Sequence, residues 1–246
     1  MERKIGILIV MLVLVPMLLS ASFKTRIYRA YISNNMQAWK TVVDEMENSK
    51  TGENSFLSEL VNYEYGYIGY CLGIDDNQSA EKYLDLAETN LNELEKLGYS
   101  PSVIEAYRSA FYGYRIGLSP IKAPFIGPKS IKQGEQSIKS DPQHPFGYIQ
   151  LGNAQFYMPT IFGGSKTQAI AYFQKAEKLM ESSPEIWINE NWNYLSLLTL
   201  IGQSFEAIKE FEKAEIYYNK ALEHEPKFNW VKNELLPKLN KTRNNE

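Results

Sequence analysis

Residues 198–226 read LTLIGQSFEAIKEFEKAEIYYNKALEHEP. Leu198, Ile201 and Phe205 return at three- and four-residue steps, a polar break follows at Lys209-Glu210, and Ala214, Tyr218 and Ala221 resume the same step. That period belongs to two amphipathic helices joined by a short link. Gly202 and Ala214, twelve positions apart, fall where two such helices cross, and small residues there let the backbones approach closely. Ala221 does the same against whatever follows, and Pro226 stops the second helix because its ring cannot continue one.

The stretch resembles the tetratricopeptide repeat, whose helix pair has glycine at position 8, alanine at 20, an aromatic at 24, alanine at 27 and proline at 32; the usual tryptophan at position 4 is Leu198 here. Altered copies are readable upstream. Ala169, Phe173 and Ala176 follow Gly152, and Ser130, Gly134, Ser137 and Pro142 follow Gly113. Both copies share an expansion between the glycine and the next small residue, and both carry a proline seven residues after the glycine, Pro120 and Pro159. A weaker copy has Gly69, Ala80, Leu84 and Ala87. The resemblance implies an all-α, right-handed α-solenoid of about five helix pairs plus a C-terminal capping helix, with the repeats over residues 55–226. A degenerate helical hairpin precedes it at 23–54, and a capping helix and tail follow at 227–246, since terminal units must cover the exposed end of the stack.

Outside the repeats, helix grammar sets the remaining boundaries. Helices are expected near 25–34, 37–48, 55–72, 78–97, 101–117, 129–140, 145–157, 166–182, 185–208, 211–223 and 227–240. Ser100-Pro101 and Ser183-Pro184 each offer a capping serine with proline at the first helical position, and Ser165-Lys166-Thr167-Gln168 reads as a capping box. Residues 1–22 differ in kind. Arg3 and Lys4 precede a charge-free apolar run from Ile5 to Leu19, then Ser20, Ala21 and Ser22. Fifteen helical residues reach only about 22 Å, short of a bilayer core of about 30 Å, so a secretory leader is the first reading and a retained N-terminal anchor the second. The mature chain is then expected to be periplasmic or secreted, touching membrane only through an uncleaved leader.

The chain of 246 residues is 44% apolar and 22% charged, with a net charge of −3, enough to bury a core and without the basic face that nucleic acid demands. Its single cysteine, Cys71, rules out an internal disulfide and reads as a small buried hydrophobe. Neither of the two histidines, His144 and His224, has metal-binding spacing, and both read as surface residues. Asp75, Asn77 and Ser79 mimic the start of a calcium loop, but Leu86 stands where a bidentate glutamate is needed, so a helix-capping turn is the better account. Gly163-Gly164-Ser165 lacks the rest of a phosphate loop. No catalytic residue, metal site or cofactor is expected.

The resemblance implies where binding occurs: positions 2, 5, 9 and 12 of each first helix line the concave surface. They are Tyr107, Ala110, Tyr114 and Gly117, then Phe146, Ile149, Asn153 and Phe156, then Ser196, Thr199, Gln203 and Glu206. Tyr107, Tyr114, Ile149, Asn153, Phe156 and Gln203 are the candidates for a groove that stacks on and hydrogen-bonds an extended segment. Relatives that clamp a terminal carboxylate use lysine, arginine and asparagine at positions 5 and 9, a set that only Asn153 fits. The expanded turns 118–128 and 158–165, with Pro120, Phe125, Pro159, Phe162, Gly163 and Gly164, are expected to form a rim or to plug one another. A protein or peptide segment is the expected partner. A small ligand of a transport system is the alternative, favoured if the turns frame a closed apolar cavity instead of an open groove.

Overall fold

The computed structural model describes residues 21–245; the leader expected over 1–22 lies, but for its last two residues, outside the described residues. The described residues are helical, without a strand. Five antiparallel hairpins follow one another: α1 (Phe23–Ile32) with α2 (Met36–Asn48), α3 (Asn54–Gly73) with α4 (Asn77–Lys96), α5 (Pro101–Leu118) with α6 (Ala123–Ser140), α7 (Pro145–Tyr157) with α8 (Lys166–Glu181), and, after the single turn α9 (Pro184–Trp187), α10 (Trp192–Ala207) with α11 (Phe211–His224). A π-helical turn, Val231–Leu235, leads into α12 (Leu236–Arg243). Each hairpin packs on the next, and α3, α5 and α7 lie side by side.

Local chemistry starts the helices. Asn35, Asp76 and Ser165 accept from the backbone N–H three residues on, at 3.0, 3.1 and 3.2 Å, satisfying donors that have no partner inside the helix. The Asp76 cap accounts for the calcium-like polar cluster. Pro101 and Pro184 open helices as expected, but Ser100 and Ser183 make no side-chain cap.

Glycine and alanine set the crossings. A Cβ on Gly152 would collide with the ring of Phe173, and one on Gly202 with the ring of Tyr218, so in both hairpins the glycine makes room for the aromatic facing it. Ala169, Ala176, Ala214 and Ala221 are wholly buried. Gly113, expected in the same role, has nothing within 4 Å of a Cβ and lies exposed. Its hairpin has Gly134 where the others have an aromatic, so nothing needs the space. Here α5 and α6 are joined by paired serines. Ser102 Oγ donates to the Ser137 carbonyl at 3.0 Å and Ser137 Oγ to the Ser102 carbonyl at 2.7 Å; Ser109 and Ser130 make the same exchange at 2.8 and 2.7 Å.

Three boundaries differ from expectation. The helix expected over 185–208 is broken: α9 ends at Trp187, Glu190 takes φ 45°, and Asn191 caps α10 by accepting from the Asn193 N–H at 3.0 Å. The helix expected from 129 begins at Ala123, so turn 118–128 folds into a 3-10 turn (Pro120–Lys122) and the first turns of α6, with Pro128 inside the helix. The C-terminal helix is interrupted: after Asn229 and Trp230 a π-helical turn runs over Val231–Leu235, and Phe228, Val231 and Leu235 are buried beneath the end of the stack.

The stack curls until its ends meet. Tyr31 packs 5.0 Å from Phe228 and 5.8 Å from Trp192, and Trp39 lies 5.0 Å from Trp192. Gly66 admits that contact, since a Cβ there would sit 2.6 Å from Trp39 and 2.8 Å from Trp192. Around the rings, Tyr28 donates to Glu225 at 3.1 Å, Asn34 to Glu234 at 2.9 Å, and Thr25 to Glu190 at 2.8 Å.

Candidate functional site

On the concave side, α3 supplies a ring that fills most of the space. Tyr65 stacks on Tyr114 (5.6 Å, 21°), meets Tyr107 edge-on at 5.7 Å and reaches Trp192 at 6.1 Å. Its hydroxyl accepts from Gln150 and Asn153, both at 3.4 Å, while Tyr114 donates to its carbonyl at 3.1 Å. Burial holds the Tyr107 and Tyr114 hydroxyls far above the usual tyrosine range.

The expected groove is therefore corrected at two positions. Tyr107 is 1% exposed and Ile149 6%, because Tyr65 and Trp192 occupy the face they were expected to line. What remains between Tyr65, Ile149, Gln150 and Trp192 is a cavity of about 10 Å³, room for about one water. Tyr114, Asn153, Phe156 and Gln203 are half-buried along the same face. The Oδ1 of Asn153 is buried without a hydrogen-bond partner, as is the Oε1 of Gln155.

Where α7 leaves the concave face, a cleft of about 360 Å³ opens, lined by Gln155, Tyr157, Met158, Pro159, Thr160, Gly164, Ser165, Lys166, Thr167 and Ile208. Its backbone is fixed by glycine. Gly163 has φ +96°, and a Cβ on Gly164 would collide with the Met158 carbonyl. Phe156 stands beside the cleft, and the Lys166 ammonium lies 3.9 Å from its ring centroid while donating to its carbonyl. Burial depresses the Lys166 pKa.

The two expanded turns do not plug each other. Ile121, Phe125, Ile161 and Phe162 remain 69–85% exposed, with Pro120, Pro159 and Gly163 also at the surface and only Gly164 buried. Tyr65, Trp192, Asn62 and the cleft-lining Gln155 and Ile208 are absent from the residues that the repeat pattern singles out. Their roles come from contacts between units, 53 residues apart for Gln155 and Ile208 and 130 for Asn62 and Trp192, which a local pattern does not carry.

Of the two histidines, His224 is exposed, as expected, and His144 is half-buried. His144 caps α7, its Nδ1 accepting from the Phe146 N–H at 3.3 Å, and its ring lies edge-on to Phe146 (5.0 Å) and Trp187 (5.3 Å). Burial pulls its pKa down to about 4. His224 packs edge-on against Tyr194 at 5.0 Å. Cys71 is fully buried, and burial pushes its thiol up to about 11, so it is an inert core residue.

No family model matches this chain, and no curated protein does. Among solved structures it is similar to the HusA haemophore of Porphyromonas gingivalis, with a TM-score of 0.57 and 18% identity over 75% of this chain and 93% of that one. It is also similar to a thermophilic TPR protein of Thermus thermophilus, with a TM-score of 0.51 and 15% identity over 85% of this chain and 93% of that one. At these identities the likeness is one of fold. Together with the glycines and alanines at the helix crossings, it shows an all-α solenoid of tetratricopeptide-like helix pairs.

Proposed function

We propose that this chain is a non-catalytic scaffold of the cell envelope that captures a segment of another protein at the cleft where α7, α8 and α10 meet. The observation that carries the reading is the contrast between the filled concave interior, about 10 Å³, and the cleft of about 360 Å³ beside it. An extended segment entering the cleft meets the polar side chains Gln155, Thr160, Ser165 and Thr167 that line it. Tyr157, Met158, Pro159 and Ile208 give apolar walls for its side chains. No carboxylate, histidine or cysteine lines the cleft among the described residues.

A photo-crosslinker at Thr167, carried by the tagged full chain in its own cells, tests this. A discrete protein adduct is expected, lost when Ile208 is replaced by aspartate and absent from a probe at Lys96 on the opposite edge. Equal labelling from both positions rejects the reading.

The likeness to a haemophore favours a second reading, a small flat apolar ligand at the same cleft. Titration with haemin separates the two. Saturable one-to-one binding with a shifted Soret band, weakened by Ile208→Asp, supports the ligand; free haemin throughout supports the protein segment.

A further inference from the structure

The links from first to second helix in successive hairpins all emerge on one edge, because α3, α5 and α7 lie side by side. Ile74, Ile121, Phe125, Tyr157, Ile161 and Phe162 stand exposed there, while Leu97, Ile186 and Ile216 are scattered over the rest of the surface. A monomer in water rarely keeps so many large apolar side chains together without a use for them.

The charge of the same edge says what covers it. Between Glu105 and Glu135, and again between Asp141 and Glu177, the sequence has no acidic residue. The expanded turns and the helix start behind them instead carry Lys122, Lys129, Lys132 and Lys166. Lys122, Lys129 and Lys132 are exposed, and none of the four has a carboxylate partner among the described residues. Arg115 nearby is already neutralised by Asp85 and Glu88 at 2.5 and 2.7 Å. The flanking turns carry acidic groups, Asp75 and Asp76 on one side and Glu206 and Glu210, with Lys209 between them, on the other, so the acid-free part of the edge is the two expanded turns. Apolar tips set among uncompensated lysines, on a chain of net charge −3, complement the anionic interface of a bilayer: the tips enter the headgroup–acyl boundary and the lysines meet the headgroups.

We propose that this edge docks the solenoid on an anionic lipid surface through Ile121, Phe125, Ile161 and Phe162, with Lys122 and Lys129 supplying the charge. The edge shares Tyr157 and Lys166 with the cleft, but Ile121, Phe125, Ile161 and Phe162, which carry the proposal, lie outside the cleft lining.

The test uses the full chain with an environment-sensitive fluorophore on Ile121→Cys, Ile161→Cys or, as the far-edge control, Leu97→Cys; Cys71 is buried and does not compete for label. On vesicles of phosphatidylglycerol and phosphatidylcholine, probes at 121 and 161 are expected to shift to the blue and be quenched by spin-labelled lipid, and the probe at 97 is not. Binding through residues 1–22 alone would leave all three probes in water. Lys122→Gln with Lys129→Gln should lower partitioning about five-fold per lysine, an effect absent on pure phosphatidylcholine and erased by high salt. Probes at 121 and 161 that stay in water, or respond no more than the one at 97, overturn the proposal. So does a crosslink from these positions to another protein with the probes unquenched, which would make the edge a protein interface.

Discussion

Trp192 Nε1 donates to Asn62 Oδ1 at 2.9 Å across 130 positions of sequence. The other side of the same amide donates to the Tyr107 hydroxyl at 2.8 Å and to Asn193 Oδ1 at 3.2 Å. One side chain thus ties α3 to α5 and to α10, and with them the early and late parts of the stack.

Asn62→Leu strands the Trp192 N–H and removes the donor to Tyr107 in a nearly dry interface. The expected cost is about 1–3 kcal/mol for each buried group left unpaired. Urea unfolding measures it, and hydrogen exchange should show faster opening where α1 and α3 meet α10. An unaltered midpoint would mean that the aromatic contacts alone close the ring.

Glycines that look equivalent in sequence should respond with opposite signs. Gly202→Ala forces the Tyr218 ring aside and is expected to cost about 1–3 kcal/mol, as overpacked crossings do. Gly113→Ala meets nothing within 4 Å in a helix interior and should stabilise by about 0.5–1 kcal/mol. Thermal melts of the two variants decide the matter.

Glu64 is wholly buried on α3, where Asn90 donates to both its oxygens at 3.0 and 3.1 Å. Glu47 on α2 also takes a bond from Asn90, Lys50 donates to Asn90 Oδ1 at 3.1 Å, and Glu93 on α4 pairs with Lys50 at 3.0 Å. Burial raises the Glu64 pKa well above the ordinary carboxylate value of 4.5, the Asn90 bonds oppose it and Glu47 adds to it. The folded state therefore holds a proton that the unfolded chain releases, so this part of the stability is present at low pH and lost as pH rises from 4.5 through the folded pKa. Glu64→Gln should flatten that loss, melting higher than the parent at neutral pH and level with it near pH 4. Equal melting at both values would show Glu64 ionised without penalty.

His144 has the opposite sign. Its pKa falls from 6.5 to about 4 on burial, so the unfolded chain binds the proton more tightly, and stability present above pH 6.5 is lost as pH drops toward 4. His144→Asn keeps a capping acceptor for α7 and removes the titration. Its unfolding free energy between pH 6.5 and 4 should fall less steeply than that of the parent protein.

The fold was legible because glycine and alanine at crossings are a local, periodic signal; Gly152 and Gly202 do in space what their spacing implies. Gly113 shows the limit. Its spacing matches that of Gly152, but the residue it would have served is Gly134 instead of an aromatic, and the paired serines took over. The break before α10 was marked by Asn191, whose capping role shows only once Glu190 has left the helix. Of the candidate site, what the repeat pattern could not carry is Tyr65 and Trp192, which bury Tyr107 and Ile149 through contacts between distant units. The cleft depends on Ile208 from another hairpin, a proximity that no local motif records.

The serine exchanges between α5 and α6 bear on how the molecule can flex. Apolar helix faces slide past one another by swapping one greasy contact for the next, at modest cost. Here a slip of one turn would pull four hydroxyls off the carbonyls they serve and leave them dry. The middle hairpin is thus a stiff spoke, and bending of the curl must be taken up on either side of it, most readily at the interrupted connection between α8 and α10.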